Sequence, residues 1–317
     1  MENKENNLAY LLTILILLIL LTSPFLFDQI RLNFNNKEES SPLTIKEKVA
    51  PFENLELEAK AVYVFDITTG NVLYAYNENE KLPLASLTKM MTAIVATDIL
   101  PISTVITIDR SDISEEGDSG LLVNEKWRLS DIIDFTLTSS SNDGASAIAS
   151  VAGSLGQTAY GAPKEQAKSD FVQKMNEKAQ EMNLVDTYFL NETGLDINDN
   201  LSGSYGTAKE MAYILAYTIS NKIDVVEATS RNLFSIKSLS NIEHTATNTN
   251  KQVGSIPGII ASKTGFTDLA GGNLVIAFDA GIMRPIVISV LGSTIEGRFD
   301  DVKKLTEEAL KTLRFEN

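Results

Sequence analysis

Strand-forming segments near both ends of the chain enclose a long helical middle, and this order limits the folds that are open to it. Alternating apolar and polar residues predict a β-hairpin over 60–67 and 71–76. Apolar residues at helical spacing predict helices over 87–100, 130–138, 143–152, 164–182 and 207–220. Strands are predicted again over 232–237, 258–263, 273–279 and 285–291, and a final amphipathic helix over 300–313. We therefore expect an α+β domain in which strands from both ends share one sheet and the helices are inserted between them.

The first 27 residues have the character of a membrane span. Residues 6–27 carry no charged side chain, and at about 1.5 Å per helical residue they reach roughly the 30 Å of a hydrocarbon core. The sequence thus predicts a membrane helix in 1–27, a flexible linker in 28–58 and a folded domain in 59–317. A cleaved secretory signal is the alternative, but its apolar run should be shorter and should end in an Ala-x-Ala-like site. The flanking charges do not decide the orientation of the span.

The composition excludes several classes of function. Lys and Arg total 27 against 42 Asp and Glu, and the resulting net charge of −15 argues against binding to nucleic acid. The chain has no cysteine and one histidine, which excludes a thiolate nucleophile, a disulfide framework and a metal site built on cysteines or several histidines. A triad of serine, histidine and aspartate would have to use His244. That residue lies in a polar stretch and is expected at the surface. Trp127 is expected in the core or at a domain edge rather than stacked on a ligand.

The first candidate for chemistry is the pair Ser86 and Lys89 at the start of the first predicted helix. Residues three apart on a helix share a face, so an amine there can take the proton of the hydroxyl. Capping of the helix by Ser86 is the alternative. A capping box, however, has Glu or Gln three residues on, and a lysine at that place meets the positive end of the helix dipole. Backbone N–H groups at the same helix end could stabilise an oxyanion, as acyl transfer requires.

Two further motifs indicate a function only in combination with the first. Ser140 and Asn142 lie in a turn between helices, where a hydroxyl can pass a proton and an amide can orient a lysine. Helix capping explains them equally well, and the same Ser-x-Asn spacing recurs at 230–232. A Lys-Thr-Gly motif at 263–265 ends an apolar strand, where glycine lets a ligand backbone approach and a solvated edge lysine is the alternative. In this order the three motifs match the set found in penicillin-binding proteins and class A β-lactamases.

From about Lys60 to its C-terminus the chain resembles the serine-type D-alanyl-D-alanine carboxypeptidases, the low-molecular-mass penicillin-binding proteins. Residues 84–92, Leu-Ala-Ser-Leu-Thr-Lys-Met-Met-Thr, are similar to the family's nucleophile segment almost throughout, and 191–196, 207–211, 248–250 and 297–298 are also similar. The resemblance implies a β-lactamase/transpeptidase-like fold with an antiparallel sheet and an inserted helical subdomain. It implies catalytic roles for Ser86, Lys89, Ser140 and Asn142, and substrate-binding roles for Lys263, Thr264, Gly265, Phe266, Thr267 and Arg298.

By the same resemblance, Ser86 is the nucleophile and Lys89 its base. The main-chain N–H groups of Ser86 and Phe266 form the oxyanion hole, and Arg298 meets the terminal carboxylate of the substrate. The implied reaction removes the terminal D-alanine from peptidoglycan stem peptides through an acyl-enzyme. β-Lactams would be covalent inhibitors, and no cofactor or metal ion is expected. Lys89 must be neutral for this reaction, which we attribute to burial beside two methionines and to the positive charge of Lys263.

Three alternatives to a carboxypeptidase remain open on the sequence: a D,D-endopeptidase that cleaves cross-links, a β-lactamase, and a membrane-tethered cell-wall-binding protein on the same fold. A β-lactamase usually has a Glu-x-x-x-Asn motif between the second and third motifs, and the sequence between Asn142 and Lys263 has none. Ser141 and Thr193 depart from the glycine and histidine that many relatives have. Because the substrate lies outside the bacterial cytoplasmic membrane, we expect an extracytoplasmic domain held by a single N-terminal span.

Overall fold

The computed structural model describes residues 52, 55–117, 119–156, 163–281 and 283–314. The predicted membrane helix in 1–27 and most of the predicted linker in 28–58 lie outside these ranges, so both stay predictions. No helix in the described part of the chain is both long and apolar enough to cross a membrane.

The secondary structure follows the order that the sequence predicts. The strands are β1 (Ala61–Asp66), β2 (Val72–Tyr76), β3 (Leu82–Pro83), β4 (Val105–Thr107), β5 (Lys126–Arg128), β6 (Tyr188–Phe189), β7 (Ser204–Gly206), β8 (Leu233–Lys237), β9 (Glu243–Thr247), β10 (Ile259–Thr267), β11 (Gly271–Asp279) and β12 (Pro285–Ser293). The helices are α1 (Thr88–Ile99), α2 (Leu129–Ser139), α3 (Asn142–Gly156), α4 (Lys164–Glu181), α5 (Ala208–Asn221) and α6 (Gly297–Arg314). Short 3₁₀ helices lie at Ala85–Leu87, Asp112–Ser114, Ile223–Val225 and Glu227–Ser230.

A five-stranded antiparallel sheet with the order β10-β11-β12-β1-β2 forms the centre of the domain. In this sheet β1 pairs with β12, so that Val62 lies opposite Val290 and Asp66 lies opposite Ile286. The hairpin at the start of the domain therefore lies beside strands from its end. This confirms the prediction that strands from both ends share one antiparallel sheet.

Both faces of the central sheet are covered, which explains why its strands are apolar nearly throughout. Successive side chains of a strand point to opposite faces. Along β1, Tyr63 and Phe65 belong to the core that also holds residues of α1 and α5. Val62 and Val64 belong to a second core, on the side of α6. Every residue of β1 is buried as a result.

The smaller strands lie outside the central sheet in three groups, β3-β7-β6, β4-β5 and β8-β9. Of these strands the sequence predicts only β8. Strands of two or three residues, such as β3 and β6, are too short to show an alternating pattern. They form because longer elements bring their backbones together, which no local sequence signal records.

The aromatic residue Trp127 is fully buried on β5, which confirms its predicted place in the core. Its ring lies 5.5 Å from that of Phe135 and 5.1 Å from that of His244, measured between centroids. The expectation that His244 lies at the surface is wrong, because only 9% of its side chain is exposed. Its Nε2 atom lies 2.7 Å from Oε1 of the buried Glu125. The residues next to His244 in the sequence are polar and therefore indicated an exposed position. The contact with Glu125 could not be predicted from them, because Glu125 lies far away in the chain.

The carboxylate of Asp301 links the last helix, α6, to the segment just before β1. The buried side chain of Asp301 accepts hydrogen bonds from the backbone N–H groups of Glu58 and Ala59, each at 3.0 Å, and from the hydroxyl of Ser293 at 2.8 Å. These bonds join α6, β12 and the segment that enters β1. A buried N–H group without a partner is costly, so the carboxylate is important for stability.

We expect Asp301→Ala to lower the free energy of unfolding by about 3 kcal/mol, because it leaves two backbone N–H groups without their acceptor. Urea unfolding followed by circular dichroism measures the change. Asp300→Ala is the matched control, since the neighbouring Asp300 is exposed and should cost less than about 0.5 kcal/mol. Equal losses for the two variants would contradict this role of Asp301.

Candidate active site

Ser86 lies in the tight 3₁₀ turn Ala85–Leu87, directly before α1. Ala85 has a φ of 51°, in the left-handed region that non-glycine residues seldom adopt, so the turn must be held by its surroundings. The side-chain amide of Asn273 on β11 donates to the carbonyls of Pro83 at 2.9 Å and Leu84 at 3.1 Å. The sheet thereby fixes the turn that presents the half-buried Ser86 side chain.

The turn also lies very close to β10. A Cβ atom placed on Gly265 would meet the carbonyl oxygen of Leu84 at 2.7 Å and the backbone nitrogen of Ser86 at 3.2 Å. Glycine is therefore required at this point of the Lys-Thr-Gly motif for a reason within the fold, in addition to the approach of a ligand that the sequence suggests.

Lys89 is completely buried on the first turn of α1, and its amine contacts three oxygen atoms. Its Nζ atom lies 2.9 Å from Oγ of Ser86, 2.6 Å from Oδ1 of Asn142 and 2.8 Å from the carbonyl oxygen of Thr193. A neutral amine has two N–H donors and one lone pair. It can donate to the amide and carbonyl oxygens while it accepts the proton of the Ser86 hydroxyl, so this arrangement accommodates the form that acts as a base.

Burial lowers the pKa of Lys89 to about 7, because the charged form loses its hydration, and Glu192 and Glu115 partly oppose this shift. This agrees with the burial that the sequence analysis proposed, and the following Met90 and Met91 are themselves buried. The expected contribution of the Lys263 charge to the lowered pKa of Lys89 is not found, and burial alone lowers it.

Lys263 lies on β10 and binds the second serine of the site. Its Nζ atom donates to Oγ of Ser140 at 2.8 Å and to the carbonyl oxygen of Thr264 at 2.8 Å. Ser140 itself ends α2 in a left-handed conformation, with a φ of 62°. Burial lowers the pKa of Lys263 well below its usual value, and the positive charges of Lys89 and Arg298 lower it further. The site thus holds two buried lysines, each bound to one serine hydroxyl.

The predicted substrate strand forms one wall of the site. The hydroxyl of Thr264 lies 2.5 Å from that of Thr249, and Nη1 of Arg298 donates to the carbonyl oxygen of Gly265 at 2.7 Å. Phe266 is 44% exposed, and the hydroxyl of Thr267 donates to Asp196 at 3.0 Å. The strand therefore brings the predicted binding residues to one side of the nucleophile turn.

Arg298 is 93% buried, yet its Nε atom has no hydrogen-bond partner within the described residues. Burial lowers its pKa from the usual value. The guanidinium lies over the ring of Phe299, with 4.8 Å between the guanidinium carbon and the ring centroid. Since a buried cation without a paired carboxylate is costly, this group favours the arrival of an anion.

Two clefts border these residues. One of about 490 Å³ adjoins the end of β10, where Phe266 and Thr267 line it together with Glu116, Leu195, Asp196, Asn198, Asp199, Asp268 and Leu269. Another of about 310 Å³ is lined by Ser140 and Asn142 among others. Space for a ligand is therefore available beside the end of β10 and beside the turn that holds Ser140 and Asn142. In the described part of the chain, no three His, Asp or Glu side chains come together in a way that could hold a metal ion.

The structure brings together every residue that the sequence singled out for this site. The sequence missed two features that bear on Lys89. One is the carbonyl of Thr193. Every residue has a backbone carbonyl, so the identity of residue 193 gives no sign of this contact. The other is a row of charged residues, Glu115, Lys168 and Glu192, which come from separate segments and share no motif.

Comparisons with known proteins agree with this geometry. The sequence model of a family described as D-alanyl-D-alanine carboxypeptidase, peptidase S11, matches residues 46–294. The chain is 29% identical to the D-alanyl-D-alanine carboxypeptidase DacF of Bacillus subtilis (strain 168) over 259 residues, which cover 80% of this chain and 62% of that protein. It is 34% identical to a D-alanyl-D-alanine endopeptidase of Pseudomonas aeruginosa over 163 residues, which cover 50% of this chain and 47% of that protein. The chain thus spans less than two thirds of the length of either relative.

The fold is that of a solved structure, the DD-transpeptidase of Streptomyces K15. The two superpose with a TM-score of 0.72 over 82% of this chain and 99% of that one, at 23% sequence identity. This likeness confirms the penicillin-binding, transpeptidase-like α+β fold that the sequence predicts.

The Lys89 amine should titrate near neutral pH. We expect its Cε carbon resonance, identified by its loss in Lys89→Met, to shift with a midpoint near 7, because burial disfavours the ammonium form. The exposed Lys311 serves as the internal control, since the bond to Glu308 raises its pKa above the usual value. A midpoint for Lys89 near the free-lysine value of about 10.4 would contradict the proposed neutral amine.

Proposed function

The chain belongs to the D-alanyl-D-alanine carboxypeptidase family, and we propose that it removes the terminal D-alanine from peptidoglycan stem peptides through an acyl-enzyme on Ser86. One observation carries the proposal: the Ser86 hydroxyl lies 2.9 Å from a buried amine whose pKa is lowered to about 7. A serine beside a neutral base is an activated nucleophile.

In the proposed acylation, Ser86 Oγ attacks the carbonyl carbon between the two D-alanines while its proton passes to Lys89 Nζ. The main-chain N–H groups of Ser86 and Phe266 would stabilise the negative oxygen of the tetrahedral intermediate. Collapse of this intermediate breaks the peptide bond, and the departing amine needs a proton. The Ser140 hydroxyl, bound to Lys263 at 2.8 Å, would give its proton to this amine and take up the proton that Lys89 received, so that Lys89 is neutral again before hydrolysis. Asn142 keeps Lys89 in position through its 2.6 Å contact.

The proposed substrate ends in a carboxylate, and the site offers the guanidinium of Arg298 and the amine of Lys263 to it. Lys263 and Arg298 are both buried, and Arg298 contributes a guanidinium whose Nε atom lacks a partner among the described residues. A carboxylate that binds beside Lys263 would raise the pKa of this lysine and favour its ammonium form. Arg298, together with Lys263 once it is protonated, would thus place positive charge beside this carboxylate in a chain that is acidic overall.

Hydrolysis completes the proposed cycle. A water molecule attacks the ester on Ser86, Lys89 accepts a proton from that water, and the shortened peptide leaves with the hydroxyl restored. β-Lactams would enter by the same acylation and would remain attached as inhibitors. The proposal further places the domain outside the bacterial cytoplasmic membrane, held by the uncharged N-terminal segment as a single-pass anchor.

A D,D-endopeptidase is the second candidate, because a relative at 34% identity carries that name. The two activities share the acylation chemistry and differ in the group that leaves. The β-lactamase and the non-enzymic alternatives predict, respectively, rapid loss of a penicillin label and no label at all.

Labelling with a fluorescent penicillin followed by denaturing electrophoresis tests the nucleophile. We expect a stable covalent band for the wild type and none for Ser86→Ala, because the ester forms on this hydroxyl. Ser140→Ala should label at least tenfold more slowly, whereas Ser139→Ala is the matched control, since its hydroxyl binds only the carbonyl of Phe135 in the described structure. Absence of a band on the wild type would refute the enzyme. Incubation with a defined pentapeptide and with a cross-linked dimer then identifies the leaving group, and free D-alanine is the expected product.

Replacement of Arg298 tests the recognition of the substrate carboxylate. We expect Arg298→Ala to lower kcat/KM for the pentapeptide by about 10- to 100-fold, the effect of losing one charge-assisted hydrogen bond, and to slow penicillin acylation less. Arg298→Lys retains the charge and should recover part of the loss. Equal losses for peptide and penicillin would indicate a general structural role, such as support of the Gly265 carbonyl.

A further inference from the structure

A row of three charged side chains adjoins the segments that hold Lys89 and its partner Asn142. Lys168 on α4 extends its Nζ atom between two carboxylates, 2.9 Å from Oε1 of Glu115 and 3.4 Å from Oε1 of Glu192. The exposed fraction of the side chain is 20% for Lys168, 26% for Glu115 and 6% for Glu192. These ion pairs are therefore largely shielded from water and are stronger than pairs on an open surface.

Each of the two glutamates is the immediate chain neighbour of a group that orients Lys89 or its partner. Glu192 precedes Thr193, whose carbonyl accepts from Lys89 at 2.8 Å. Glu115 precedes Glu116, whose carbonyl accepts from the Asn142 side-chain amide at 2.6 Å. Because the same Asn142 side chain also contacts Lys89 at 2.6 Å, the row joins both segments that hold the amine.

The backbone adds a further link between this row and α1. The carbonyl of Glu192 accepts from the hydroxyl of Thr92 at 2.7 Å, less than one helical turn after Lys89. The segment 192–193 therefore lies along the helix that carries the base. The ion pair between Lys168 and the Glu192 side chain helps to hold this segment against α1, so its loss would loosen the contact between Thr92 and the Glu192 carbonyl.

The charges of the row act on the proton of Lys89 in opposite directions. Both glutamates raise the pKa of Lys89, because a negative charge stabilises the ammonium form. Lys168 lies between the two carboxylates. Burial lowers the pKa of Lys168, but Glu192 and Glu115 raise it by more, so it stays charged at neutral pH. Lys168 is thus the counter-charge of the two carboxylates that attract the proton of Lys89.

The other charged groups near Lys89 are accounted for by their own contacts. Lys263 faces the site from β10 and binds Ser140. On α3, the carboxylate of Asp143 accepts from the hydroxyl of Ser119 at 2.7 Å. Asp112, which contacts α3, accepts from Ser146 and Ser150 and pairs with Lys164 at 3.3 Å.

We propose that Lys168 is a positioning residue for the acylation step. It holds the segments 115–116 and 192–193 against Lys89, and its charge balances those of the two glutamates. Lys168 thereby sets the lowest pH at which acylation proceeds. The proposal rests on the proposed function, in which Lys89 acts as a neutral base. Neither Lys168 nor the glutamates need to touch the substrate in this role.

The pH dependence of acylation by a fluorescent penicillin tests the proposal. Acylation should rise with pH through the titration of Lys89. In Lys168→Met the glutamates lose their counter-charge, so the midpoint of this rise should move up by about one pH unit. At pH 9 the rate should return to within a few-fold of the wild type. In Glu192→Gln one attracting charge is gone, and the midpoint should move down by a similar amount.

The matched control is Lys178→Met on the same helix. Lys178 pairs with Asp98 at 2.9 Å and Glu181 at 3.5 Å, and its side chain is 17% exposed. Neither of these partners is a neighbour in the chain of a group that holds Lys89. We expect this variant to lose a comparable amount of thermal stability without a shift of the midpoint. The double variant Lys168→Met with Glu192→Gln should bring the midpoint back toward that of the wild type.

A Lys168→Met protein that loses the same fraction of its rate at every pH, with an unmoved midpoint, would overturn the proposal and leave Lys168 a merely structural residue. If Lys168→Met does not fold, an unmoved midpoint in Glu192→Gln has the same meaning. Should penicillin label no form of the protein, the proposed function fails by itself. In that case the titration of the Lys89 Cε resonance still measures the effect of Lys168 on the amine. An unchanged midpoint of this titration in Lys168→Met would refute the proposed role of Lys168.

Discussion

The site depends on the burial of one amine. Lys89 has no access to water, and its three neighbours supply two acceptors and one hydroxyl that can donate. An ammonium group in this place has lost the hydration that would stabilise its charge. The carboxylates of Glu192 and Glu115 compensate only in part, because the direct partners of the amine are the Ser86 hydroxyl, the Asn142 amide and the Thr193 carbonyl. The fold thus keeps the amine close to neutrality at ordinary pH without removing it from its partners.

The rest of the architecture places this amine at the junction of the sheet and the helices. The hydroxyl of Ser86 stands on a strained turn that Asn273 ties to β11, and Gly265 lets β10 lie against the same turn. The helical side supplies Lys89, Ser140 and Asn142. Three parts of the chain therefore meet at one serine, and each is held by contacts that do not involve a ligand.

The sequence predicts most of this fold because the long elements show their periods clearly. The segment of α4, with buried Ala167, Phe171 and Met175, repeats at the spacing of a helix. The apolar run of β12 likewise shows a strand covered on both faces. The pairs β3-β7 and β4-β5 are different, since their strands of two or three residues depend on partners much further along the chain. The same reason explains the misplaced His244, whose contact with Glu125 joins residues 119 positions apart.

The candidate site divides along the same line. Ser86 and Lys89 are three residues apart on one helical turn, so their contact follows from local geometry. Asn142 and Lys263 come from distant parts of the chain, so their position beside Ser86 and Lys89 could be predicted only from the resemblance to a known family. The carbonyl of Thr193 and the charged row at Lys168 were out of reach, because a backbone acceptor leaves no mark on residue identity and ion pairs between separate segments follow no fixed spacing.

The attachment of α6 has a mechanical consequence. Asp301 grips the backbone of Glu58 and Ala59, where the chain enters the domain, and Arg298 stands three residues away on the same helix with its guanidinium against the Gly265 carbonyl. A force applied to the chain just ahead of Ala59 would therefore act on α6 within one helical turn of Arg298. The point where the chain enters the domain and the carbonyl of Gly265 are thus mechanically coupled through a single turn of helix.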